Sequence, residues 1–283
     1  MRSARTAGHA RGGVTKAAKM RFARNWVGWV GVLLFAAARH GAAQQNPFVG
    51  SSQYPQFRVL SGLAGGGYGV DERGYGSLSG PTAYSTPIAF VLGRDQFEMG
   101  VSKTSFSLAP NFDNNHSNGK GIISYGHTFG SFNLMATDLF KSTVGDQAYN
   151  LQIAYMPSAK ARLVPSIGVQ DLLGHGGSAG IGQPTDQFSS RSVFGVLTYR
   201  LDTGGRPVYF SAGGGTHRFR HSFYSASYQV ARPTRLWLEY DGYGFNEGAL
   251  FSFRIGGRRG PILNTMVGLV RTNYLTLSGI IGF

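Results

Sequence analysis

The chain has 283 residues, 43 of them glycine and 37 aromatic (20 Phe, 14 Tyr, 3 Trp), with 27 Lys+Arg against 13 Asp+Glu and no cysteine. Lack of cysteine excludes disulfides, thiolate metal sites and a cysteine-linked lipid anchor. Charged residues make up 14% of the chain, well below the ~25% of soluble domains.

The first element in chain order reads as an export signal. From Met20, a plausible true start, Arg21 and Arg24 precede an apolar stretch from Trp26 to Ala38, followed by small residues at Gly41 and Ala43. A charged region, a short apolar core and a small-residue site are the parts of a cleavable signal peptide. The apolar stretch falls short of the about 20 residues that a spanning helix needs. Residues 1–43 are therefore expected to be removed, with cleavage near Ala43. They hold eight of the 27 basic residues and no acid, so the formal charge of +14 drops to +6 for the rest. The remaining arginines are scattered, and nucleic acid is not an expected partner.

Residues 44–93 are Gly-rich and irregular, and read as an N-terminal arm or a first hairpin. "FRVLSGLA" and "TPIAFVLG", within residues 57–93, could add two strands to the wall that follows. From residue 94 to 283, short segments alternate apolar and polar residues with a period of two. Twelve strands are predicted, near 95–106, 120–129, 132–140, 148–156, 162–171, 192–201, 207–214, 222–231, 235–243, 248–256, 261–270 and 274–283. In "LQIAYM", Leu151, Ile153 and Tyr155 share a face opposite Gln152 and Ala154. In "RLWLEYDG", Leu236, Leu238 and Tyr240 oppose Trp237, Glu239 and Asp241. No amphipathic helical period of useful length is found.

Connection lengths sort by parity. Those after predicted strands 2, 4, 6, 8 and 10 are short ("GS", "PSAKA", "DTGGRP", "ARPT", "GGRRG"). Those after strands 1, 3, 5 and 7 are longer, up to "LLGHGGSAGIGQPTDQFSSR"; only the last two odd ones, "GFNE" after strand 9 and "RTN" after strand 11, are as short as the others. Short turns at one end, long loops at the other and an even strand number describe a transmembrane antiparallel up-and-down β-barrel of an outer membrane. The expected fold is all-β with about 12 strands, or 14 if residues 57–93 contribute two. The last segment, "YLTLSGIIGF", places Leu275, Leu277, Ile281 and Phe283 on one face, a pattern expected to serve as the C-terminal signal for barrel assembly. A closed barrel in lipid leaves no free edge, so this strand has to pair with the first.

Three stretches together resemble the YjbH-like family of outer-membrane barrels: "GSLSGPTAYSTPIAFVLGRDQFEMGVS" (76–102), "LVPSIGVQDLLGHG" (163–176) and "LEYDGYGFNEGALFSF" (238–253). The resemblance implies an accessory role in exopolysaccharide or capsule export, and polysaccharide as a partner.

The candidate chemistry is sparse. Ser124 and His127 lie three apart on one strand and point to opposite faces; Tyr125 and His127 share a face suited to an aromatic belt. His175, His217 and His221 lie in or beside loops without metal-ligand spacing. The "GGG" clusters at 65–67 and 213–215 lack the lysine of a phosphate loop and suit close packing. No catalytic, cofactor or metal site is assigned. Gln152, Arg200, Glu239, Asp241 and Arg254 are expected to face the lumen, as a pore lining or as a crosslinked plug in which Glu239 meets Arg254. Asp171 and Asp241 are expected at the extracellular rim, as solvated carboxylates in preference to groups that orient loops or bind cations. The sequence thus predicts a non-enzymatic envelope barrel in the outer membrane of a Gram-negative-type bacterium. Its surroundings are outer-membrane lipid and lipopolysaccharide, with the barrel-assembly machinery as partner during biogenesis. A small porin-like diffusion channel and a lipid-modifying hydrolase are the alternatives.

Overall fold

Alternation along each segment becomes, in three dimensions, the two faces of a closed wall. The computed structural model describes residues 69–104, 118–141, 147–158, 160–173, 191–216, 219–242, 244–257, 260–270 and 274–283. The expected signal segment, "FRVLSGLA", His175, His217 and the glycines at 65–67 lie outside the described residues. Twelve strands follow in order: β1 (Gln96–Thr104), β2 (Asn118–Phe129), β3 (Phe132–Lys141), β4 (Gln147–Tyr155), β5 (Leu163–Gln170), β6 (Ser192–Thr203), β7 (Arg206–Gly215), β8 (Phe223–Gln229), β9 (Thr234–Tyr240), β10 (Phe245–Arg254), β11 (Ile262–Val270) and β12 (Tyr274–Gly282). Each pairs antiparallel with its neighbours in sequence, and β1 pairs with β12 to close the barrel. "TPIAFVLG" forms no strand and stays out of the wall.

Two boundaries moved for local reasons. "DTGGRP", expected as a six-residue connection, is mostly ladder: Asp202 pairs with Pro207 and Thr203 with Arg206. Only Gly204 and Gly205 turn, both at positive φ (61° and 89°), the geometry that lets a two-residue hairpin follow the twist of its strands. β10 likewise starts earlier than expected, because Phe245, Asn246 and Glu247 pair with Tyr240, Glu239 and Leu238.

The outer face is apolar, with Val101, Leu163, Ile167, Val193, Leu197 and Leu277 each about half exposed or more. Aromatic rings gather near both ends of the wall. At the short-turn end Phe129, Phe132 and Tyr155 stack in series (5.9 and 5.2 Å between centroids), and Phe97 meets Phe283. At the long-loop end Tyr240 lies 5.2 Å from Phe245, with Tyr149 and Tyr224 exposed nearby in the strand pattern. An apolar band between two aromatic girdles is the exterior of an outer-membrane barrel. The inner positions are polar or small on many strands, among them Ser124, Asn133, Thr137, Gln152, Thr198, Ser225, Ser227, Asn264 and Thr276, all buried. What buries them is the chain itself.

Candidate functional site

Residues 69–93 fill the lumen. Apart from an isolated bridge between Val70 and Gly76, none of them joins a ladder, yet every residue from Gly80 to Gly93 is buried. The segment begins at the short-turn end, where Asp71 Oδ1 accepts the Arg73 and Tyr75 amides in a tight turn and Glu72 pairs with Arg200 of β6. It rises along β8 and β9, reverses near the long-loop end at Tyr84–Thr86, and descends along the opposite wall. At Gly93 it turns into β1 through Arg94 and Asp95. Both of these have positive φ (53° and 57°), closed by a bond from Gln96 N to Gly93 O (3.0 Å). The turn is braced from β2: Arg94 N donates to Thr128 Oγ1 (2.8 Å), and Asp95 Oδ1 takes the Tyr125 hydroxyl (2.6 Å) and meets His127 Nδ1 (2.7 Å). Those contacts, that of Tyr125 first and His127 next, hold the exposed Asp95 carboxyl below its ordinary range.

The rising limb is gripped by the inner face of one strand. Period-two alternation sets Arg235, Trp237 and Glu239 of β9 in a column, each about 1% exposed. The Arg235 guanidinium bonds Gly80 O and Ser252 Oγ (the latter 2.7 Å). The Trp237 indole stacks on the Tyr84 ring, 6.0 Å between centroids and 18° from parallel. The Glu239 carboxylate gathers the reversal. Tyr84 N donates to Oε2 (2.9 Å), Ser85 N and Oγ to Oε1 (2.9 and 2.6 Å), and Thr86 N and Oγ1 to Oε2 (3.2 and 3.0 Å). Asn246 Nδ2 of β10 adds a bond to Oε1 (2.8 Å), and Thr276 of β12 reaches the Tyr84 hydroxyl (2.6 Å). Trp237 fits because Gly248 and Gly268 face each other across β10 and β11; a Cβ on either would come within 2.7 or 2.6 Å of the indole ring.

The descending limb is held differently. Ile88, Phe90, Val91 and Leu92 are sealed against Met135, Ala154, Val164, Phe194, Val196 and Tyr209 on β3 to β7. Only a few polar contacts reach it: Gln152 Nε2 to Ile88 O (2.7 Å), Ala89 N to Thr198 Oγ1 (2.9 Å) and Asn133 Nδ2 to Val91 O (3.4 Å). The segment is therefore held in two ways, the rising limb mainly by polar groups of β8–β10 and the descending limb mainly by apolar side chains of β3–β7.

The residues singled out in the sequence meet different fates. Gln152 and Glu239 point inward and bind the segment. Arg200 lies at the short-turn end, with Nε on Asp202 Oδ1 (2.8 Å) besides its pair with Glu72. Arg254 is exposed and bonds Gly260 O (2.8 Å). The expected Glu239–Arg254 pair is absent: register sets Glu239 opposite Asn246 and Arg254 opposite Ile262, at the other end of β10. Asp171 and Asp241 are also not solvated, being 1% and 5% exposed. Asp241 takes the Gly244 amide and Asn246 Nδ2 (3.1 and 3.3 Å), closing the β9–β10 turn. Leu277 and Phe283 are exposed on the outer face, with Leu275 and Ile281 partly so. Ser124 is buried inward against Thr137 Oγ1 (2.9 Å) while His127 faces out, so the two form no hydrolytic pair. Arg235, Asn246 and the gripping role of Trp237 went unnoticed, although alternation alone puts Arg235 on the face of Glu239.

No family model and no curated protein matches the chain, so the resemblance to YjbH-like barrels gains no support. Solved structures do match. The KdgM porin in complex with disordered oligogalacturonate is 11% identical over 66% of this chain and 98% of that chain, with a TM-score of 0.47. The Acinetobacter baumannii outer membrane protein Omp33 is 11% identical over 67% and 97%, with a TM-score of 0.41. The COG4313 outer membrane channel from Pseudomonas putida F1 is 13% identical over 70% and 97%, with a TM-score of 0.33.

Proposed function

We propose that this chain is a non-enzymatic outer-membrane channel of narrow lumen, occluded by its own residues 80–92 and opened by withdrawal of the rising limb. One observation carries the reading. The wall closes by its own twelve-strand ladder, and apart from the chain's continuation into β1 at Gly93, residues 80–92 meet the wall, among the described residues, through side-chain contacts alone. Taking the segment out would leave every ladder bond in place.

What water can replace decides which limb moves. Each hydrogen bond on the rising limb is worth only about 0.5–1.5 kcal/mol net, roughly 1.5–3 with a charged partner, because water can replace it. Each apolar side chain of the descending limb is worth about 1.5–3 kcal/mol, and water offers no substitute. Water can refill the polar seat of the rising limb but not the apolar seat of the other, so residues 80–86 leave first, opening a path along β8–β12 lined by Ser225, Ser227, Glu239, Asn246, Asn264 and Thr276.

Single-channel conductance of the folded full chain in a planar bilayer tests this. Wild type should be mostly silent with rare discrete openings, and Glu239→Ala should make openings at least several-fold more frequent. Ser85→Cys with Asn246→Cys, joined by a short bifunctional thiol reagent in this cysteine-free chain, should abolish them. A folded Glu239→Ala barrel as silent as wild type would make the segment a permanent filling and the protein a scaffold.

A further inference from the structure

We propose that the inner wall at Trp237, Glu239 and Asn246 is a binding site for a neutral saccharide, which Tyr84, Ser85 and Thr86 occupy as an internal stand-in. The inference deepens the channel reading and rests on it. Three features of the contact name the ligand class. The indole of Trp237 presents its flat face to a ring of similar size, 6.0 Å away and 18° from parallel; the apolar face of a pyranose can take the same place. Two neighbouring hydroxyls, Ser85 Oγ and Thr86 Oγ1, fall one on each oxygen of a single carboxylate (2.6 and 3.0 Å). A carboxylate is acceptor-only, with two oxygens that can each take a donor, and two adjacent donors of this kind are a vicinal diol. Around them stand an amide from Asn246, a hydroxyl from Thr276 and the Trp237 indole N–H, which has no partner among the described residues.

An aromatic floor with a few convergent polar groups is the general make-up of a small-molecule site. Here it is preformed, since Gly248 and Gly268 clear the space in which the indole lies. The sign of the charge narrows the class further. Glu239 and Asp241 both bond Asn246 and so lie close together. Arg235, lower on the same column, is engaged by Gly80 and Ser252. A uronate or sulfated sugar stacked on Trp237 would meet the two carboxylates, while Arg235, which gives up Gly80 when the limb withdraws, lies two residues lower on the column and keeps Ser252; a neutral sugar escapes that repulsion. Segment and solute compete for one set of acceptors, so arrival of the solute would itself favour the open state.

The chain has three tryptophans, Trp26, Trp29 and Trp237. In a Trp26→Phe/Trp29→Phe background Trp237 reports alone, whatever the processing. Its emission and the bilayer current are measured during titration with maltotriose and, separately, with trigalacturonate. Maltotriose should shift emission saturably and interrupt open-channel current. Ser85→Ala/Thr86→Ala should lower its half-saturating concentration at least tenfold, because the competitor has lost two bonds to a charged acceptor. Adding Glu239→Gln should cancel that gain, and trigalacturonate should do nothing. If the double variant does not fold, Thr86→Val carries the same test.

Openings without any saturable maltotriose response would overturn the saccharide site and leave the channel standing. A saturable response without openings would keep the site and overturn the channel. A folded barrel with neither would overturn both. A tenfold gain that survives Glu239→Gln would place the sugar elsewhere and overturn the site.

Discussion

Arg94 and Asp95 stand where the occluding segment becomes the wall, and both hold a left-handed backbone that L-residues other than glycine adopt at a cost of about 1–2 kcal/mol each. Aspartate tolerates this conformation better than arginine. Arg94→Gly should therefore raise the unfolding free energy of the folded barrel by about 1 kcal/mol, read as a higher midpoint in a urea titration. Asp95 adds a pH dependence. Its folded-state pKa lies below the ordinary 3.8, because the Tyr125 hydroxyl and His127 favour the ionised form. The stabilisation it supplies is fully present above that ordinary value and is lost as pH falls through the lower folded value. Between pH 5 and 2 the heat resistance of wild type should fall more than that of Asp95→Asn. Arg254→Ala, by contrast, should stay within about 0.5 kcal/mol of wild type, since the side chain is exposed and, among the described residues, bonds a turn carbonyl alone.

At the scale of elements, β9 shows what was legible in the sequence and what was not. Alternation assigned Trp237, Glu239 and Asp241 to the face opposite Leu236, Leu238 and Tyr240, and the structure has them so. Side-chain period is a property of the single strand and can be read without its neighbours. Register is a property of pairs. The pairing of Glu239 with Asn246 depends on where the β9–β10 turn closes, and Gly242 at φ 92° closes it earlier than "GFNE" suggested. The lumenal segment was the least legible part, because "TPIAFVLG" has the composition of a buried strand and nothing in composition separates a strand from an apolar limb lying against one. Gly268→Ala tests the packing that strand pairing imposes. A Cβ there would strike the Trp237 ring, so the variant should lose roughly 1–3 kcal/mol and alter Trp237 emission. At the seam, Phe97 and Phe283 exchange two backbone bonds (3.2 and 2.8 Å) and pack ring to ring. Deleting Phe283 should lower the amount of assembled barrel in the membrane; normal assembly without it would remove the targeting role proposed for the last strand.

For the molecule as a whole, the segment inside precedes in sequence the wall that encloses it. Thr82 waits for a partner 145 residues downstream on β8, and Tyr84 for one 192 residues downstream on β12. Contacts of such sequence separation form late and slowly. The chain therefore faces an ordering problem that an empty barrel does not have. Either residues 80–92 are laid against the growing sheet before β1 meets β12, or they are threaded in through the short-turn end after closure. The apolar limb, packed largely against β3–β7 with Ile262 of β11 and Ile280 of β12 in the same cluster, favours the first course, since most of its seat is complete while β8–β12 are still unpaired. The descending limb would then act as a template around which the sheet curls, and its removal should slow closure of the barrel even where the finished wall is equally stable.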